Sequence, residues 1–127
     1  PRLIQAVFDR ARDRMGSNPQ IQYRIKCSFM QLYNEKVSDL LNPATRSLKE
    51  GLRIRWTRDD HFEVENLYIF ECESADQMRE MMLMGVKEKV MSAHQMNQQS
   101  SRSHCIFTVH VHSWDTGNPD CLVKSEL

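Results

Sequence analysis

The sequence predicts an α/β fold with a mixed central β-sheet flanked by helices. Helical and alternating apolar periods take turns along the chain. Two stretches read as hairpins, and the alternation of the two periods points away from an all-helical or all-strand architecture. The length, 127 residues, suits one domain.

The elements follow in order. PRLIQAVFDRARDRM reads as a helix with Pro1 at its first position and Leu3, Ile4, Val7, Phe8 and Ala11 on one face. Residues 16–19, GSNP, stop it. IQYRIKCSFMQLYN alternates, with Tyr23, Ile25, Cys27, Phe29 and Gln31 on one side. Both sides become apolar towards its end, which places this strand near the centre of a sheet. NEKVSDLLNP is expected to make a short helical turn before Pro43, followed by a polar loop over 44–51.

LRIRWT and HFEVEN flank a turn at Arg58, Asp59 and Asp60 and read as a small exposed hairpin. LYIFECE is a further strand. Ser74 opens a capping box, SADQ, for a helix carrying Met78, Met81, Met82 and Val86 at core spacing, with Met84 and Gly85 near its end. KVMSAHQMNQQSSRS reads as a long polar loop, a kind of segment that is often functional. HCIFTVHVHS is a strand with Cys105, Phe107, Val109 and Val111 on one face. DTGNPD turns the chain into a returning strand, CLVKSEL.

Composition narrows the classes. Seventeen basic and 17 acidic residues cancel, so no global charge points to nucleic acid or a membrane surface. No apolar run approaches the length of a membrane span. Cys27, Cys72, Cys105 and Cys121 lie in strand-like segments without a CxxC pair, and read as buried free thiols of a reducing compartment. His104, His110 and His112 share strand parity, but no acidic or cysteine partner is evident, and stoichiometric zinc binding is not expected. The chain starts without Met and closes inside a strand, so both ends read as cut.

The stretch NQQSSRSH, residues 97–104, carries the chemistry. Two adjacent hydroxyls, an amide and an arginine stand between a helix and a strand. Serine hydroxyls are oxygen ligands suited to Mg²⁺. Asn97 can meet a phosphate oxygen or orient a water, and Arg102 offers a planar fork to a carboxylate or phosphate. A capped polar loop of no special function would use the same residue types.

NQQSSRSH resembles the switch I motif of kinesin motor domains at every fixed position. FMQLYNEKVSDLL, residues 29–41, is similar to the strand and turn of the same family. HFEVENLYIFECESADQMREMMLMG resembles its strands and helix before switch I, and PRLIQAVFDR the helix after its phosphate loop. The resemblance implies a partial kinesin motor domain, related to P-loop NTPases. Residues 1–127 are then its central part, with the P-loop segment expected before Pro1 and switch II after Leu127.

The resemblance implies an ATP-driven microtubule motor with ATP and Mg²⁺ as cofactors. Ser101 would meet the Mg²⁺ shell. Ser100 would lie near the attacking water, and Asn97 on the γ-phosphate side. Arg102 would latch to the switch II glutamate, and Ser103 and His104 would secure the loop to its strand. The hairpin after Gly51 corresponds to a microtubule-touching segment, for which Arg53, Arg55 and Arg58 are the candidates among Asp59, Asp60, Glu63 and Glu65. Lys89 stands near the helix end where many kinesins carry Arg, and His94 and Gln95 where Thr and Asn are frequent. These departures could slow hydrolysis. The other reading is a microtubule-binding scaffold without turnover. The resemblance further implies a cytoplasmic, microtubule-bound protein, with a cilium or flagellum as one setting, and a homodimer formed through a coiled coil outside this chain. The 127 residues alone are expected to be inactive, since the phosphate loop is missing.

Overall fold

The computed structural model describes residues 2–96 and 102–127. The side chains of Arg46, residues 94–96 and residues 119–121 are outside the description. Two helices, α1 (Arg2–Ser17) and α2 (Ala75–Met96), alternate with seven strands: β1 (Ile21–Tyr33), β2 (Lys36–Asp39), β3 (Ile54–Trp56), β4 (Phe62–Val64), β5 (Phe70–Cys72), β6 (Ser103–Asp115) and β7 (Asn118–Glu126). The main sheet has the order β2-β1-β6-β7, with β5 also on β1, and β3-β4 form a separate hairpin. The α/β class is the one the alternating periods predict. Every described register is antiparallel.

The chain divides into two compact units. One comprises Pro1–Cys27, Ile69–Met81 and Thr108–Leu127. Here α1 buries Ile4, Phe8 and Ala11, spaced i, i+4 and i+7. Burying an Ile or Phe contributes about 1.5–3 kcal/mol. Leu3, expected on that face, is exposed, because it falls a third of a turn from the stripe its neighbours make. The guanidinium of Arg79 on α2 donates to Gln5 Oε1 at 2.6 Å and pairs with Asp76, tying the two helices together. β5 pairs with β1 in the register Ile25↔Cys72 and Cys27↔Phe70. It is shorter than expected, since Tyr68 and Ile69 are exposed before it. Ser74 and Gln77 form a cap as the sequence predicts. Gln77 N–H donates to Ser74 Oγ at 3.2 Å, and Glu73 N–H to Gln77 Oε1 at 2.8 Å.

The second unit comprises Ser28–Tyr68 and Met82–Phe107. Its β1 half buries Ser28, Phe29 and Gln31. The chain then reverses through Asn34 and Glu35, both at positive φ (49° and 62°), into β2. The helical turn expected over 34–42 is therefore a hairpin. Two successive left-handed residues make the tight turn that matches strand twist, and Val37 and Asp39 then alternate inward. A short 3-10 turn, Pro43–Ser47, follows, with Asn42 as its cap.

The larger correction concerns α2. It does not end near Gly85 but runs to Met96, and most of the expected polar loop is helix. Between Gly85 and Arg102 the sequence has no Pro and no further Gly, so nothing there stops a helix. Lys89 is consequently half-buried inside the helix rather than at its end, and Val86 is exposed rather than in the core. Met78 is fully buried, whereas Met84 is exposed.

Candidate functional site

The candidate stretch, NQQSSRSH, lies in sequence at the end of α2 and the start of β6. Asn97, Ser100 and Ser101 lie outside the described residues. Arg102 is exposed directly before β6, and Ser103 and His104 open that strand, half-buried and exposed respectively. His94 and Gln95 belong to the last turns of α2. The stretch is thus held at both ends by regular structure, a 22-residue helix before it and a 13-residue strand after it.

Two aromatic contacts fix those supports within their unit. Phe29 of β1 meets Phe107 of β6 edge to face, with ring centroids 5.3 Å apart. The same ring lies against the backbone of α2 at Gly85, where a methyl group would stand 2.7 Å from Phe29 Cε1. Gly85 is buried and helical. Its lack of a side chain is a packing requirement, which explains a glycine inside a helix that would otherwise favour alanine.

The second predicted surface is the β3-β4 hairpin. Arg53, Arg55 and Arg58 are all exposed. Arg55 is engaged, with Glu63 Oε2 at 3.6 Å and Glu65 Oε1 at 3.4 Å. Such exposed pairs contribute under about 1 kcal/mol each, yet they hold the guanidinium against its own hairpin. The sequence reading missed the opposite face. Ile54 pairs with Val64 and Trp56 with Phe62, and the Trp56 and Phe62 rings stack edge to face at 4.5 Å. Phe62 is 70% exposed and Trp56 54%. Alternation in IRW and FEV signalled this apolar face, but the stretch read as a small exposed hairpin marked by its charges.

The sheet face on the first unit collects charge. Arg24 stacks over the Trp114 ring at 5.6 Å and pairs with Glu71 at 3.1 Å. His110 Nδ1 lies 2.9 Å from Glu126 Oε1. His112 is held below the usual histidine range by burial and by Lys26, Lys124, His110 and Arg24 around it. Cys27 and Cys72, distant in sequence, bring their sulfurs to 3.7 Å in the core. The hydrogen bond with the Cys72 sulfur, and then burial, push the Cys27 thiol up. Among the described residues no group of three or more His, Cys, Asp or Glu could hold a metal ion.

A family model for the kinesin motor domain matches residues 1–127. The chain belongs to the kinesin motor-domain family. It is 38% identical over 109 residues to the kinesin-like protein Klp98A of Drosophila melanogaster, covering 86% of this chain and 8% of that protein. It is 35% identical over 119 residues to a kinesin heavy chain of Syncephalastrum racemosum, covering 92% and 12% respectively. The chain therefore spans about a tenth of the length of these kinesins. A solved structure described as that of a fast kinesin superposes over all of this chain and 34% of its own, with a TM-score of 0.87 at 26% identity. The kinesin fold thus accounts for the helix–strand order and for the long helix ahead of NQQSSRSH.

Proposed function

We propose that residues 1–127 are the central part of a kinesin motor domain whose intact protein is an ATP-driven microtubule motor. Its phosphate loop would precede this chain and its switch II segment would follow it. The observation that carries the reading is NQQSSRSH, set between a long helix and a central strand in a chain of this family.

The donor set fits a nucleotide with Mg²⁺: hydroxyl and amide oxygens are the hard ligands this ion prefers. Ser101 would hold Mg²⁺, which neutralises charge on the transferred phosphoryl group when bound. Ser100 would orient the attacking water, and Asn97 would face the γ-phosphate. Arg102, exposed ahead of β6, would pair with the glutamate of switch II. Positioning and electrostatics are most of what phosphoryl transfer asks of a protein. Release of such a loop after hydrolysis can be coupled to a remote binding surface. The β3-β4 hairpin, with Arg53 and Arg58 exposed, is the surface in this chain suited to an acidic track. The setting is the microtubule cytoskeleton, with dimerisation through segments outside these residues.

The test is microtubule-stimulated ATPase of the full-length protein beside Ser101→Ala and Arg102→Ala. The expected outcome is turnover in the wild type and a loss of about 10²–10³-fold in each variant, the scale of removing one group aimed at transition-state charge. A full-length protein that binds microtubules without turnover would instead be a scaffold. The altered positions Lys89, His94 and Gln95 favour that second reading, and the complete serine pair favours the motor.

A further inference from the structure

We infer that Gly85 and Phe29 form a positioning contact for the ATPase reaction, setting where α2 and β6 end relative to each other. The inference rests on the motor reading above and assigns residues outside the loop that reading uses.

Three elements meet at one ring. Phe29 of β1 touches the backbone of α2 at Gly85 and the ring of Phe107 on β6. From Gly85 the helix continues eleven residues to Met96, about 16 Å at 1.5 Å per residue. From Phe107 the strand runs back four residues to its start at Ser103, about 13 Å at 3.3 Å per residue. The ring is therefore a pivot with two arms of similar length, and the ends of those arms are the two anchors of residues 97–102. A close-packed interior transmits displacement instead of absorbing it. A Cβ at position 85 would stand 2.7 Å from Cε1 and 3.2 Å from Cγ of Phe29, against ordinary contacts of about 3.5–4.0 Å. The helix or the ring must move, and both anchors feel the movement. Neither residue would touch nucleotide, so these are positioning residues.

The experiment compares wild type, Gly85→Ala, Phe29→Leu and the double variant in the full-length protein. The measurements are steady-state ATPase at saturating microtubules and amide hydrogen exchange. In Gly85→Ala, KM for ATP should rise about tenfold, and kcat per folded molecule should fall as well, since the displaced loop both holds nucleotide and orients the attacking water. Exchange over 86–96 and 103–107 should quicken together. The smaller leucine makes room for the new methyl, so the double variant should recover at least half of the KM change. Phe29→Leu alone, which keeps the glycine, should raise KM in the same direction. A purely structural role predicts a different pattern: kcat falls with the folded fraction, KM stays fixed, and rescue does not appear in KM. An active wild type with unchanged KM in Gly85→Ala and Phe29→Leu would overturn this inference and leave the motor reading standing. A wild type without turnover would sink the motor reading and this inference with it.

Discussion

The carboxylate of Asp39 accepts the backbone N–H of Tyr68 at 2.7 Å. Its other oxygen accepts from Leu41 N–H at 2.8 Å and Asn42 N–H at 3.1 Å. Asp39 is 2% exposed, at the end of β2. One buried side chain thus closes the turn after β2 and anchors the segment that returns from the β3-β4 hairpin. Three backbone donors disperse the charge of a carboxylate that would otherwise be costly to bury.

Removing that carboxylate leaves three N–H groups without their acceptor. Hydrogen bonds to charged groups contribute about 1.5–3 kcal/mol, and an orphaned buried donor adds its own desolvation cost. Asp39→Ala is expected to lower stability by at least about 3 kcal/mol, and Asp39→Asn by less, since an amide oxygen still accepts. Urea unfolding of the full-length protein, followed by a probe in this domain, measures both. A loss under about 1 kcal/mol for Asp39→Ala would show that the three contacts do not hold the turn.

The turn at Asn34 and Glu35 gives a prediction of opposite sign. Glu35 sits at φ 62°, which costs a residue with a Cβ about 1 kcal/mol. Asparagine followed by glycine is the preferred pair for a turn with both central residues left-handed. Glu35→Gly should therefore stabilise the protein by about 0.5–1 kcal/mol, seen as a higher urea midpoint. Glu35→Val should do the reverse.

The sequence showed most of the fold because its periods were unambiguous where burial is one-sided. The alternation of Ile25, Cys27, Phe29 and Gln31 placed β1 correctly, and SADQ marked the start of α2. Two readings failed for definable reasons. NEKVSDLL has too few apolar residues to separate a helical period from a strand period, and the left-handed Asn34–Glu35 pair has no composition signature as strong as Asn-Gly. The end of α2 was placed at Gly85 because glycine usually stops helices. Here it marks a close approach to Phe29, a tertiary requirement that no local pattern records. The motif NQQSSRSH stood out in the sequence as a candidate, but the packing of the helix before it and the strand after it was visible only once Phe29, Gly85 and Phe107 were seen to meet.

Stability should fall in mild acid through His112. Burial and the cations Lys26, Lys124 and Arg24, with His110 beside it, depress its folded-state value below the ordinary 6.5. Glu71 and Glu126 on the same face pair with Arg24 and His110. Because the folded value is the lower one, the contribution is complete above about 6.5 and is lost as pH drops through the folded value, where the unfolded chain binds the proton first. The urea midpoint should fall between pH 7 and pH 5, and His112→Gln should flatten part of that slope. An unchanged slope in the variant would assign the acid sensitivity to other groups.

The last prediction concerns Cys27 and Cys72. Their sulfurs lie 3.7 Å apart, close enough to suggest a disulfide, but the residues are diagonal and not opposed: Cys27 faces Phe70 and Cys72 faces Ile25. Diagonal positions across antiparallel strands are about 7–8 Å apart at Cα, beyond the usual span of a disulfide, roughly 4.4–6.8 Å. The hydrogen bond with the Cys72 sulfur, and then burial, also disfavour the Cys27 thiolate, the reactive form. Both should stay reduced thiols that resist an alkylating reagent in the native protein at pH 8, while the half-buried Cys105 reacts measurably. In 8 M urea all should label at similar rates. Mass spectrometry of trypsin-digested, alkylated protein separates the sites. Rapid native labelling at Cys27 would mean that β5 opens from β1 far more often than a buried 0% exposed residue implies, and would make this strand pair the weak point of its unit.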